Sequence, residues 1–563
     1  MATESWKERA QAKREAILAL IPEEWRIKNP PIEKQVDVTG KYIQQYLTER
    51  EVEITETTAD EIVKHTVTGR WSAEDVAKAF CHRAALAHQL VHCLHEIFFD
   101  AAIADAKALD EYYAKHKKPV GPLHGLPVSL KDQFHVKDVE TTMGYVGWIG
   151  TFEGKIGTGK EKVFESEMVR ELRNSGAVLY CKTSVPHTLM IGETVNNIIG
   201  LTHNPKNRSL SSGGSSGGEG ALIGLRGSPV GFGTDIGGSI RIPAAFNGLY
   251  GIRPSVGRMP YEGMANSMDG QNSILSVVGP LATSVPSLRL VMKAILAQKP
   301  WLHDPLVHEL PWRYEQEREI LEITGAIGDA SKVGKLAFGV LKTDGVVNPT
   351  PPIRRAIDIV VKAMKDLGHE IIEWTPPSHR HLHDEGLKSW VFDAGTDIKG
   401  AFSLSGEPYA KQIEFYKQLD KEFIGSEIAA TNVKMRQLKK EYLDYWVSTE
   451  KSTSTGRPVD AIIAPLAPFP ASRFTMYYYY GYSTWVNMLD YTSVVVPVTN
   501  VDKAIDKADA DYKPVDDRDK NVYESYDPEI YDGAHVSLQL VGRRLQEEQM
   551  LAIAEYVGRS IGK

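Results

Sequence analysis

Two stretches of this 563-residue chain hold residue types that could do covalent chemistry. The first is SLSSGGSSGGE at 209–219, followed by a short apolar run and then GFGTDIGGSIRIP at 231–243. Flexible linkers also combine Gly with Ser. A linker, however, would not continue into ALIGL (221–225) and IRIPAAF (240–246), whose apolar side chains call for burial. Buried glycine-rich backbone means tight turns or close approach to a ligand. The second stretch is LPVSLKDQ at 126–133, where Lys131 directly follows an apolar run bounded by turn residues.

Several chemistries compete for these residues. A phosphate loop needs Lys and Ser or Thr after its glycines, and no Lys stands there. A dinucleotide fingerprint needs G-x-G-x-x-G, but Gly231 and Gly233 are followed by Gly237, one residue too late. Nucleophilic serine chemistry has two forms. Gly213 to Gly217 matches a G-x-S-x-G elbow with Ser215 as nucleophile, for which His535 is the best-placed base. The residues before it are turn-like rather than strand-like, which weakens that form. Alternatively, Ser239 ends DIGGS, where Gly237 and Gly238 let backbone N–H groups turn inward as an oxyanion hole requires. Asp235 and Arg241 flank this turn and could hold it. A serine needs a base, and burial would lower the pKa of Lys131 into a useful range. Spacing alone does not pair Lys131 with either serine.

Taken together and in order, GPLHGLPVSLKDQ (121–133), GGSSGGEGALIG (213–224) and GTDIGGSIRIPAAFNGLYGIRPS (233–255) resemble the amidase signature family of serine hydrolases. ETVNN at 193–197 and LQLVGRR at 538–544 fit the same pattern, and the opening region is most similar to the family's fungal acetamidase-type branch. The resemblance implies a Ser–cis-Ser–Lys triad. Ser239 would be the nucleophile, Ser215 (24 residues upstream) the bridging serine after a cis peptide, and Lys131 the general base. It implies an oxyanion hole from the amides of Ile236, Gly237, Gly238 and Ser239, with Asp235, Arg241, Ser216 and Thr234 in support. Leu189 and Met190 fall where the family places pocket residues, and the tyrosines of 477–482 could add to the wall.

The implied reaction cleaves a linear carboxamide to carboxylate and ammonia or amine, with no metal and no cofactor. Carbamate or ester hydrolysis on the same site is the near alternative, and a non-catalytic or transamidation-complex subunit the distant one. The implied partner is a small-molecule amide. The family's dimers leave room for a homodimer, which the sequence does not decide.

The elements needed to position these residues are legible as short apolar runs between helices. Strands are expected at 126–130, 177–181, 336–340, 369–374, 461–464, 494–496 and 536–541, with helices from Ser72, over 168–175, over 353–367 and from Glu547. Such alternation predicts an α/β fold with a mostly parallel sheet, whereas the resemblance implies one large domain with a mixed, twisted sheet between helices. A helical, polar N-terminal arm is expected over 1–60, broken by Pro30 and Pro31, and the amidase signature domain over 61–563. Residues 502–527, rich in Asp and Lys, read as a surface insertion. His379, His381 and His383 alternate as three imidazoles on one strand face would, but match no zinc spacing. A solvated loop is the plainer reading.

Composition excludes other classes. With 42% hydrophobic and 25% charged residues the chain is of globular type. A net charge of −8 argues against nucleic acid as partner. The N-terminus lacks the apolar core of a signal peptide, and no run of 18 apolar residues suggests a membrane span. Three scattered cysteines, Cys81, Cys93 and Cys181, point to a reducing compartment, the cytoplasm.

Overall fold

The short apolar runs become the strands of one sheet. The computed structural model describes residues 5–32, 34–328 and 333–563. Its strands are β1 (Leu94–Ile97), β2 (Pro127–Lys131), β3 (Val178–Thr183), β4 (Val195–Asn196), β5 (Gly200–Leu201), β6 (Val230–Asp235), β7 (Tyr250–Arg253), β8 (Val277–Ala282), β9 (Ala337–Val340), β10 (Glu370–Glu373), β11 (Ala461–Pro465), β12 (Ser493–Asn500) and β13 (His535–Val541). Eleven form a single sheet in the order β1-β3-β2-β6-β8-β7-β12-β13-β11-β9-β10, and β4 pairs with β5 alone. Every residue of β2, β3, β6, β8 and β11 is buried. Both faces of the sheet are therefore covered, which is why these strands read as continuous apolar runs. The molecule is a single α/β domain.

The expectation of a mostly parallel sheet is corrected. β2 runs parallel to β3 and β6, and β9 to β10 and β11. The pairs β1–β3, β6–β8, β7–β8, β7–β12, β12–β13 and β11–β13 are antiparallel. Helix–strand alternation along the chain does not set strand direction. The connection between β7 and β8 contains no helix, and it returns the chain antiparallel.

Local signals explain the helices around the sheet. Ser72 caps the helix Ala73–Val91, its hydroxyl accepting from the Asp75 amide at 3.0 Å. Val76, Ala77, Phe80, Cys81, Ala84 and Ala87 then face the core. The first helix, Trp6–Ala19, is closed by a full Ser5/Glu8 capping box. It packs Ala10 and Ile17 into the main core, with Leu18 facing solvent. Residue 60, where the arm was expected to end, lies inside the helix Ala59–Thr66, whose Ala59 and Ile62 belong to the same core. The 502–527 segment is not all surface: Asp506, Asp519 and Val522 are buried, the last two on the helix Asp517–Ser525.

Candidate active site

The site grows from the adjacent ends of two parallel strands. Lys131 is the last residue of β2 and Asp235 the last of β6, and the C-terminal ends of neighbouring parallel strands are where α/β sheets place ligands. The serine-rich block lies across this pair. Ser216 begins the helix Gly217–Gly224, and its amide donates to the Ser239 carbonyl at 3.1 Å. Gly231 and Gly233 of β6 lack side chains for a packing reason. A Cβ on Gly231 would collide with the Glu219 carboxyl, and one on Gly233 with the Ser216 hydroxyl. The peptide bond between Gly214 and Ser215 is cis.

Lys131 has no exposed surface. Its Nζ donates to Ser215 Oγ at 2.8 Å and to Thr234 Oγ1 at 2.7 Å, and the Thr234 hydroxyl donates onward to Gln133 Oε1 at 2.7 Å. Burial brings the Lys131 pKa down to about 7, against the opposing pull of Asp235 and Glu219. Glu219 is itself buried beneath the site, held by Ser129 at 2.6 Å and Thr183 at 2.9 Å. Burial pushes its pKa up to about 8, against those two hydrogen bonds and the pull of Lys131.

The turn that presents Ser239 is built around Asp235. Its Oδ1 accepts from the Gly238 amide at 2.8 Å and Asn487 Nδ2 at 2.8 Å, and its Oδ2 from the Ile240 amide at 3.2 Å. Arg241 reaches both oxygens and also bonds Asn487 and Gln539. Burial opposes the Asp235 charge, but the Arg241 guanidinium and these hydrogen bonds hold the carboxyl well below the usual range. Gly238 has φ +127°, a conformation open to glycine. One expectation changes here: the Gly238 amide is spent on Asp235. No group among the described residues takes the amides of Ile236, Gly237 or Ser239.

Ser239 opens on a cavity of about 420 Å³ whose walls are mainly apolar. The expected Leu189 and Met190 line it, and Thr188 and Leu189 hold left-handed backbone at φ 71° and 62°. Of the tyrosine run, Tyr480 lines the cavity, with Tyr477 stacked behind it at 4.3 Å between ring centroids. Tyr478 faces solvent, and Tyr479 bonds Asp344 at 2.6 Å. Sequence reasoning missed the opposite wall, made by Leu387, Trp390, Gln412, Phe415 and Tyr416. Its one signal is the density of aromatic residues over 390–416, which packing would equally produce.

Other candidates fall elsewhere. His535 starts β13, packs against Gly248 and contacts Asn500 at 3.2 Å, so the elbow reading of Ser215 is left without its base. The imidazoles of 379–383 lie on a helix, His379–Leu387, rather than on a strand or a solvated loop. His379 contacts Tyr442 at 3.1 Å, His383 contacts Thr484 at 3.1 Å, and His381 faces solvent. At i and i+4 the outer pair shares the inward face, and the helix carries Asp384 and Leu387 to the cavity wall. Among the described residues no three His, Cys, Asp or Glu side chains gather as a metal site. Cys81, Cys93 and Cys181 are buried, and burial pushes their thiols up.

A buried lysine bonded to one serine thus lies beside a second serine on a glycine-rich turn with free amides, at the strand ends of an α/β sheet. The chain belongs to the amidase family, whose sequence profile matches residues 75–551. It is 48% identical over 565 residues to an acetamidase of Aspergillus oryzae, with all of both chains covered. An acetamidase of Emericella nidulans is 47% identical, with 99% of each chain covered. Among solved structures, a fatty acid amide hydrolase superposes with a TM-score of 0.90 at 34% identity, covering 100% of this chain and 96% of that one. The protein is thus an amide-hydrolysing enzyme. No helix among the described residues is long and apolar enough to cross a membrane.

Proposed function

We propose that this enzyme hydrolyses linear carboxamides through an acyl-enzyme on Ser239, with Ser215 and Lys131 relaying the proton. The observation that carries this reading is the Lys131–Ser215 contact at 2.8 Å. A lysine whose pKa is brought down to about 7 is in its proton-accepting form about half the time near neutrality, which an ordinary lysine is not. In its neutral form one Lys131 N–H bonds Thr234, and its lone pair receives the Ser215 hydroxyl proton. Ser215 takes the proton of Ser239 as Ser239 Oγ adds to the amide carbon. The carbonyl π electrons move onto oxygen, where the amides of Ile236, Gly237 and Ser239 hold the charge. Each such donor is worth about 3–4 kcal/mol of the barrier. The C–N bond then breaks with its electron pair on nitrogen, which takes a proton from Ser215, and Lys131 reprotonates Ser215. Water adds to the acyl ester by the same relay and releases the carboxylate.

Ammonia release from acetamide and benzamide by the purified protein tests the reading. Ser239→Ala is expected to fall to background, and Lys131→Ala to lose a factor of about 10² to 10⁴. A fluorophosphonate label should map to Ser239. A label on Ser215, or activity retained in Ser239→Ala, would overturn the assignment.

A further inference from the structure

The chain over 387–393 lines two cavities. Leu387, Lys388, Trp390 and Val391 line the one beside Ser239. Ser389, Phe392 and Asp393 line another, of about 510 Å³, which contains none of Lys131, Ser215 and Ser239. The acidic side chains of this further cavity come from three segments: Asp269, Asp393 with Asp397, and Glu422. Hydrogen bonds hold the segments together. The Met268 amide donates to Asp397 Oδ2 at 2.7 Å, and the Thr396 hydroxyl to Glu422 Oε1 at 2.8 Å. No lysine, arginine or histidine lines the cavity. The lysines next in sequence are committed elsewhere: Lys388 to Glu385, Lys421 to Glu427 and Lys399 to the Leu419 carbonyl. Desolvation pushes the Asp397 carboxyl up, against the Met268 amide, and the Asp393 and Asp269 charges add to that push.

Like charges lining a concavity focus their field on it and concentrate counter-ions there. A second observation points the same way. Ser389 is 1% exposed, and its hydroxyl, in the wall of this cavity, has no hydrogen-bond partner among the described residues. Buried hydroxyls are as a rule satisfied, and the lone pairs of this one suit an N–H donor.

We infer that this cavity binds a linear aliphatic polyamine in its ammonium form. A hard metal ion needs several oxygens converging on one point, and among the described residues no three carboxylates do so. Charges spread around a wall match ammonium groups spaced along a chain instead. The rest of the wall suits the methylenes between them. Phe392 and Phe423 pack with ring centroids 5.3 Å apart, and Met268 and Ile428 also line the cavity. Aromatic faces attract cations as well. The volume is that of a small-molecule site.

Equilibrium dialysis of the full-length enzyme against radiolabelled spermidine tests this, with hexylamine and magnesium chloride as competitors. Spermidine is expected to saturate at one per chain and to bind more weakly as ionic strength rises. Hexylamine, with a single charge, should compete at least about tenfold less well than unlabelled spermidine, the scale of two further ion pairs. Asp269→Asn combined with Glu422→Gln should weaken spermidine about tenfold for the same reason. Ser389→Ala, which removes one oxygen and reads the site independently should the double variant fold poorly, should weaken it about tenfold through the lost hydrogen bond to a charged group. No saturable binding of spermidine, or affinity unchanged in both variants, overturns the inference. Magnesium displacing spermidine more effectively than hexylamine does at equal charge would make this a metal site and overturn it too, as would hexylamine competing as well as spermidine. All of these outcomes leave the amidase reading intact.

Discussion

The Asp235 carboxylate and the Arg241 guanidinium meet in a two-point contact, Nε to Oδ2 at 3.0 Å and Nη2 to Oδ1 at 3.1 Å, with neither side chain exposed. The same carboxylate holds the Gly238 and Ile240 amides on either side of Ser239. Arg241→Met strands a buried carboxylate, which costs about 3–5 kcal/mol. Arg241→Lys should recover only part, because an ammonium cannot reproduce the planar fork. Urea unfolding is expected to show both losses, and kcat should fall along with stability, because the turn that orients the free amides is no longer fixed. A native-like unfolding midpoint in Arg241→Met would show that the pair does not hold the turn.

Activity should depend on pH through Lys131. Burial places its pKa at about 7, below that of an ordinary lysine, and the neutral form is the competent base. The rate should therefore be low in acid, rise through about pH 7 and level off above it. Measured kcat/KM against pH for a neutral amide gives the midpoint directly. Lys131→Arg should be inactive at every pH, since a guanidinium does not deprotonate in this range.

Thr234 tunes that midpoint. Its hydroxyl oxygen accepts from Lys131 at 2.7 Å and so favours the charged ammonium. The bond persists in the neutral amine at roughly half the strength, so the preference for the ammonium is about 1 kcal/mol, somewhat under one pH unit. Thr234→Val, nearly the same shape, should move the acid limb to lower pH by about that amount while lowering the plateau through looser positioning of Lys131. A limb that stayed in place would show that Thr234 only fills space.

What the sequence disclosed follows from how each feature is encoded. Ser215, Ser239, Asp235 and Arg241 lie in one short glycine-rich segment, and packing accounts for much of its composition. Gly231 and Gly233 are small because Glu219 and Ser216 occupy the space above them. Lys131 stood out by following an apolar run, but only the parallel pairing of β2 with β6 brings it to the serines. The far cavity wall was illegible because Trp390, Phe415 and Tyr416 look the same whether they fill a core or line a pocket. The histidines of 379–383 misled through an alternation that a helix with Ser378 as its cap overrides. The commitment of the Gly238 amide to Asp235 is a matter of backbone direction, which side-chain identity does not report. Strand direction was hidden for a like reason, since the same apolar run serves a parallel or an antiparallel neighbour.

The N-terminal helix is tied to the body by a buried charge cluster. Lys13 Nζ lies 2.5 Å from Glu96 and 2.7 Å from Glu140, and all three side chains are largely buried. Burial pushes the Glu96 pKa up to about 7, against the pull of Lys13. Burial likewise opposes the Lys13 charge, but the two carboxylates more than offset this and raise its pKa. Lys13→Met leaves both carboxyls without their cation, a loss of about 3–5 kcal/mol for a broken buried pair. The sign of its pH dependence follows from Glu96. A carboxyl raised in the folded state contributes most below its unfolded pKa of about 4.5 and loses that contribution as pH rises through the folded value. Without Lys13 the folded value moves higher still, so the variant should be closest to native stability near pH 5 and fall progressively behind it toward pH 8. Urea midpoints of the two proteins at both pH values measure this, and a pH-independent gap would mean that Lys13 does not set the Glu96 pKa.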